Sequence, residues 1–202
     1  MDYTAVPYTD PTTQLISVNN AAGTTISNVS ANEDGRGVEL DSSSHVTLDK
    51  LSFNKMTGSL LFINGSTYIS LSNSKLKSTA DGQVPHNADG LYALNADHLT
   101  IGGAPAFPAS QICSVFDYDT GFGVYLQNTN YVTIDHASAN ADDTGGFILD
   151  NTRMWTSATA QPRAGGPICI TLNGQKAPTG YVPTDPKSGL LLINASEQQH
   201  DP

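Results

Sequence analysis

The chain repeats itself about every 22 residues, and a period of that size admits few folds. Strand-like triplets recur at Val38-Glu39-Leu40, Leu61-Phe62-Ile63, Leu91-Tyr92-Ala93, Val124-Tyr125-Leu126, Phe147-Ile148-Leu149 and Ile170-Thr171-Leu172. A second set recurs at Thr24-Thr25-Ile26, Val46-Thr47-Leu48, Ile69-Ser70-Leu71, Leu99-Thr100-Ile101, Val132-Thr133-Ile134 and Trp155-Thr156-Ser157. The second set advances in steps of 22, 23, 30, 33 and 23 residues. Such a series is the mark of a solenoid in which two coils carry insertions.

Most triplets put apolar residues at i and i+2 around an outward residue, the period of a half-buried strand. No segment sustains a helical period. A polar corner separates the two strands of each coil: Asn19-Asn20, Asp41-Ser42, Asn64-Gly65, Asn95, Gln127-Asn128 and Asp150-Asn151. Asn and Asp tolerate left-handed backbone and bond their own main chain, so they make tight corners. Stacked on successive coils, their side chains can bond one another as a ladder. A weaker third strand follows, as at Leu51-Ser52-Phe53 and Ser74-Lys75-Leu76. These features predict an all-β chain: a right-handed parallel β-helix of about eight coils, with three short strands per coil. An antiparallel sandwich would instead need two-residue hairpins and strands spaced about 8–12 residues apart.

The 202 residues suit one domain. Residues 1–15 read as an N-terminal segment able to cap the first coil. Residues 16–202 read as the helix, with inserted loops at 72–90, 102–123 and 173–189. The net charge is −10, with only 9 Lys and Arg, which argues against a nucleic-acid surface. No apolar run is long enough to span a membrane. Abundant Ser, Thr, Asn and Gly fit a secreted or cell-surface β-protein. Cys113 and Cys169 either pair, clamping the longest insertion, or stay free. The last strand, Leu191-Leu192-Ile193, opens a coil that the chain does not complete, so self-association through solenoid ends is open to it.

Function on a solenoid concentrates where coils carry insertions. Acidic glycine motifs lead into three first strands: His86-Asn87-Ala88-Asp89-Gly90, Asp117-Tyr118-Asp119-Thr120-Gly121 and Asn140-Ala141-Asp142-Asp143-Thr144-Gly145. With coils about 4.8 Å apart, Asp89, Asp119 and Asp142 or Asp143 are expected to stack near one edge of the first sheet. Packed like charges raise at least one pKa, so one acid stays protonated beside an ionised partner. Glycoside hydrolysis needs that pairing of acid and base. Beside the acids the outward residues Phe62, Tyr92, Tyr125 and Ile148 form a second column. Tyr92 and Tyr125, with His86, Asp117 and Arg163, are the expected substrate contacts. Each Asp before Gly is also ordinary turn chemistry, and the Tyr pair is also an ordinary cross-strand ladder. His45, His98 and His136 read as solvated residues, and the Thr column as β-propensity with hydroxyls toward water. No cofactor or metal is expected, with calcium the one cation that stacked carboxylates could take.

The stretch His86-Asn87-Ala88-Asp89-Gly90-Leu91-Tyr92-Ala93-Leu94, followed by His98-Leu99-Thr100-Ile101, resembles the polygalacturonase branch of the pectin-lyase-like β-helices. That branch carries an Asn-Thr-Asp-Gly segment entering a strand and then an Asn-Val-Thr-Ile strand. The resemblance implies a polysaccharide hydrolase in which Asp89 stands at the first catalytic aspartate. The branch's paired aspartates correspond to Asp117-Tyr118-Asp119, and the pair Asp142-Asp143 comes one coil later. Its Gly-His-Gly and Arg-Ile-Lys segments have no counterpart here. Two functions follow as expectations. One is a secreted glycoside hydrolase acting on a polysaccharide. The other is a non-catalytic glycan-binding or structural β-helix, a fragment of an adhesin, tailspike or surface protein.

Overall fold

A computed structural model describes residues 14–32, 35–56, 58–78, 89–102, 114–117, 122–140, 145–154, 170–172, 190–193 and 196–197. Among them the chain winds as a parallel β-helix. The first sheet stacks seven parallel strands: Gln14–Asn19, Arg36–Asp41, Leu61–Asn64, Leu91–Leu94, Phe122–Gln127, Gly145–Asp150 and Leu190–Ile193. The second wall holds Thr25–Ser27, Ser44–Asp49, Thr67–Ser72 and Asp97–Ile101. The third holds Ser30–Asn32, Ser52–Met56, Lys75–Ser78 and Ser114–Asp117. Thr133–Asn140 joins these two walls, pairing with Asp97–Ile101 through its start and with Ser114–Asp117 through its end.

Register makes the core. Val38, Leu61, Leu91, Val124 and Phe147 align in one inward column, and Leu40, Ile63, Ala93, Leu126 and Leu149 in the next. Val46, Ile69, Leu99 and Val132 face them from the second wall, and Leu51, Phe53 and Leu76 from the third. All are at most 1% exposed. Burying each large apolar side chain is worth about 1.5–3 kcal/mol relative to exposing it. A slip of one residue would turn both columns to solvent, so register is strongly specified.

Corners are built from left-handed residues in three columns. Asn20, Ser42, Gly65, Asn95, Asn128 and Asn151 form the first. Gly23, His45, Tyr68, His98 and Tyr131 form the second, and Asn28, Lys50 and Asn73 the third. The remaining positive φ among the described residues is that of Gly102, at the third corner but opposite Ser72, one residue before the Asn73 column. The expected Asn ladder is present: Asn151 donates to Asn128 at 2.7 Å, and Asn128 to Asn95 at 3.3 Å. On the neighbouring row Asn64 donates to Asp41 at 2.9 Å. At the third corner burial raises the Asp49 carboxyl, but hydrogen bonds from Asn73 and Ser72 and the Lys50 ammonium outweigh it and hold the group below its ordinary value.

One residue past the first corner stands a buried row: Ser43, Ser66, Thr129 and Thr152. Each hydroxyl donates to the carbonyl two residues back, at 3.0–3.1 Å. The Ser66 Oγ also accepts the Ser43 backbone N–H at 3.0 Å. These hydroxyls carry the inter-coil bonding where the backbone itself turns away.

Three expectations are corrected. Ile170–Leu172 does not join the first sheet; it pairs antiparallel with Thr133–Asn140. Leu190–Ile193 takes the place over Gly145–Asp150, with Leu190 in register with Phe147 and Leu192 with Leu149. The loops at 72–90 and 102–123 are also narrower than read, because Lys75–Ser78 and Ser114–Asp117 are coil strands within them, with Leu76 in register with Phe53 and Phe116. The added lengths, 79–88 and 103–113, therefore fall at different corners. One precedes a first-sheet strand and the other precedes the third-wall strand Ser114–Asp117. Trp155-Thr156-Ser157, the third loop at 173–189, Cys113 and Cys169 lie outside the described residues.

Gly37 is a close approach. A Cβ there would overlap the Leu60 carbonyl oxygen and sit 2.8 Å from the Phe53 ring. Gly37→Ala is expected to lower unfolding stability by at least about 2 kcal/mol through overpacking, read as a lower urea midpoint at unchanged m-value. Ser66→Ala leaves the Ser43 N–H without its acceptor and is expected to cost about 1–3 kcal/mol, measured the same way.

Candidate functional site

The outward row of the first sheet aligns Ser17, Glu39, Phe62, Tyr92, Tyr125 and Ile148. Parallel strands place the same position of each coil directly over the last, so side chains of like shape meet. Tyr92 and Tyr125 stack at 5.2 Å with an 8° interplanar angle. Phe62 lies 5.4 Å from Tyr92, tilted by 47°. The two tyrosine rings thus turn faces to each other and present edges to solvent.

Both ends of the strip carry polar groups. At one end the Arg36 guanidinium lies 5.5 Å from the Phe62 ring centre and pairs with Glu39 at 3.4 Å, while Gln14 donates to Glu39 at 2.5 Å. Along one flank the Tyr92 hydroxyl donates to Gln127 at 3.1 Å, Gln127 donates to Asp150 at 3.2 Å, and the Tyr125 hydroxyl reaches Asp150 at 3.4 Å. Asp89 opens the strand that carries Tyr92 and is only 9% exposed. Its carbonyl accepts the Leu60 N–H at 2.9 Å, which ties it to the preceding coil.

Asp89 acts on both tyrosines. Burial first, and then the Asp89 charge, raises the Tyr92 pKa above its ordinary value. Burial, then the Asp150 charge, raises Tyr125, with Tyr92, the Asp150 hydrogen bond and Asp89 adding to it. The folded state therefore favours the neutral phenols. The stability they contribute is full below the ordinary tyrosine value of about 10 and is lost as pH rises through the folded values.

Of the expected site residues, the structure brings Asp89, Tyr92 and Tyr125 together. Asp117 ends the third-wall strand Ser114–Asp117, in register with Lys77 and Asn140, away from the first-sheet row. Counting back from Leu91↔Val124 and on through Phe122↔Gly145, the row that holds Asp89 continues as Phe122 and Gly145. The aspartates of the later coils precede that row by two or three residues. Asp119, Asp142, Asp143, His86 and Arg163 themselves lie outside the described residues. Arg36, Gln127 and Asp150 were not anticipated on this face. Their signal was positional, since each sits at a fixed offset from the outward row.

The second wall carries a feature that sequence reading passed over. His45, Tyr68, His98 and Tyr131 stack in order at 4.7, 4.4 and 4.6 Å, with interplanar angles of 15–28°. His45 and His98, expected as merely solvated, are rungs of this ladder. Asp97 holds the His98 Nδ1 at 2.8 Å. All four rungs have φ of 52–55°, the conformation Gly23 supplies in the first coil. A left-handed non-Gly residue costs about 1–2 kcal/mol, and each aromatic stack returns about 0.5–1.5 kcal/mol. Four such residues cost about 4–8 kcal/mol and three stacks return about 1.5–4.5 kcal/mol, so stacking offsets only part of the backbone cost and stability alone does not explain the ladder.

Among the described residues no group of three or more His, Cys, Asp or Glu is placed to hold a metal ion. No helix among them is long and apolar enough to cross a membrane. Asp150→Asn is expected to let Tyr125 ionise at lower pH than in the wild type, with the direction read from tyrosinate absorbance during an alkaline titration. An unmoved titration curve would mean that burial alone holds the phenol.

Residues 14–153 match the family model described as the right handed beta helix region. No curated protein matches the chain.

Proposed function

Since the chain belongs to the family of the right handed beta helix region, we propose that it is a carbohydrate-active protein, secreted or surface-borne, that hydrolyses glycosidic bonds of a polysaccharide bound over the outward face of the first sheet. The observation that carries this reading is Asp89, a nearly buried carboxyl at the mouth of the strand that presents Tyr92 and close enough to both tyrosines to shift them. A carboxyl beside a polar and aromatic strip is the kind of group that glycoside hydrolysis calls on as acid or base.

In this reading Asp89 supplies acid or base to the glycosidic oxygen or to water. Asp119 or the Asp142-Asp143 pair supplies the partner. The edges of Tyr92 and Tyr125 and the Gln127–Asp150 pair would border the bound chain, because the ring faces are already occupied by each other.

That last point favours a second reading, a non-catalytic glycan-binding β-helix. A ladder that spends its ring faces internally serves the fold whether or not chemistry follows.

The deciding experiment assays reducing ends and unsaturated ends released from pectic, alginate and neutral glycans, with the Asp89→Asn variant beside the wild type. Reducing ends from the wild type, falling about 10²–10⁴-fold in the variant at an unchanged melting midpoint, are the expected outcome. Full activity in the variant removes Asp89 from the chemistry. Unsaturated ends would make the protein a lyase, and silence on every substrate would leave the binding reading.

A further inference from the structure

We propose that the outward face of the second wall is a separate binding groove for an extended neutral glycan, lying along the solenoid axis beside the His–Tyr ladder. The groove has a volume of about 320 Å³ and is lined by Tyr68, His98 and Tyr131 from the ladder and by Ser70, Thr100 and Thr133 from the adjacent row. The two rows run parallel because the strands are in register, Ser70 to Thr100 to Thr133. A ring edge and a hydroxyl therefore recur together on each successive coil.

That repeat selects the ligand. The occupant must offer apolar C–H surface to the rings and hydroxyls to Ser and Thr, again and again along one line. An extended sugar chain does both. A peptide adding as a strand needs an open sheet edge, and this is a sheet face whose backbone groups are already paired. Nucleic acid and acidic polymers meet a chain of net charge −10. Neutral sugars meet no such barrier.

A second, independent observation points the same way. The other two left-handed columns are filled mostly by Asn, Ser and Gly, residues that suit such a backbone. This column alone carries bulky rings, over four successive coils, where Gly23 shows that glycine serves. Tyr68 and Tyr131, bulky residues held in that conformation, are outliers of the kind found at ligand-binding surfaces. Tyr68, in the middle of the run, is also 50% exposed, so its edge is open to a ligand.

The proposal does not rest on hydrolysis at Asp89, and its test reads binding alone. Isothermal titration would use cellohexaose, xylohexaose and mannohexaose, with hexagalacturonate as the charged comparison. The proteins would be the wild type, Tyr68→Gly, Thr100→Val and, on the third wall, Asn54→Ala, which changes an exposed residue outside both candidate faces. At least one neutral hexasaccharide is expected to bind the wild type and Asn54→Ala equally. Its affinity is expected to fall at least about tenfold, or 1.4 kcal/mol, in Tyr68→Gly and measurably in Thr100→Val. Melting midpoints are read in parallel. If Tyr68→Gly unfolds, Thr100→Val, which keeps shape and removes only the hydroxyl, carries the test. Wild-type affinity in both groove variants would overturn the proposal. So would preference for hexagalacturonate, or no binding of any neutral sugar by the wild type.

Discussion

The backbone hydrogen bonds that run from coil to coil are the constraint on which the rest of this structure depends. A strand in the first sheet is satisfied only by the same strand of the neighbouring coils. Each coil must therefore turn its corners at equivalent residues, whatever the chain does in between. Three columns of left-handed residues enforce this. Where the backbone swings out of reach at the first corner, a row of buried Ser and Thr hydroxyls takes over the bonding. Insertions are tolerated because the chain re-enters register after them: Leu91 lies over Leu61, and Val124 over Leu91, across the two longest steps.

The same constraint decides what the outer faces can be. Coils about 4.8 Å apart bring like side chains into contact distance, so any repeated residue type becomes a ladder. Repeated Asn gives hydrogen-bonded rungs, and repeated rings give stacks 4.4–5.4 Å apart. A ladder turns the broad ring faces inward along the axis and leaves edges and polar tips outside. Recognition on such a surface comes from edges and hydroxyls in rows. Both candidate faces here have that character, and they differ in what flanks the rings. The first sheet has Asp89, Asp150 and Gln127. The second wall has a hydroxyl row and a groove that spans three coils.

Much of the fold was legible in residue order. The apolar i, i+2 triplets locate the inward columns, and Asn20, Asn95, Asn128 and Asn151 mark the first corner because few residues accept a left-handed backbone. The site was legible only in part. Asp89, Tyr92 and Tyr125 share a short segment or a strict register, so spacing alone could unite them. The second ladder was not legible because Tyr is a poor left-handed residue, and nothing local suggests that His45 sits where Gly23 does. The third-wall strand Ser114–Asp117 was not legible for a related reason: it carries too little apolar pattern to stand out from the residues around it.

The sequence by itself determined the period, the strand type, the polar corners and the inward faces, because each is a property of a few neighbouring residues and recurs coil after coil. Only the tertiary structure decided which of two apolar triplets, Ile170–Leu172 or Leu190–Ile193, continues the first sheet, since both satisfy the local pattern and the choice lies in how each fits the columns already built. It also decided which outward residues stack and which acids share a row. Those depend on register across 22 to 33 residues, where a shift of one or two places moves a side chain to another column.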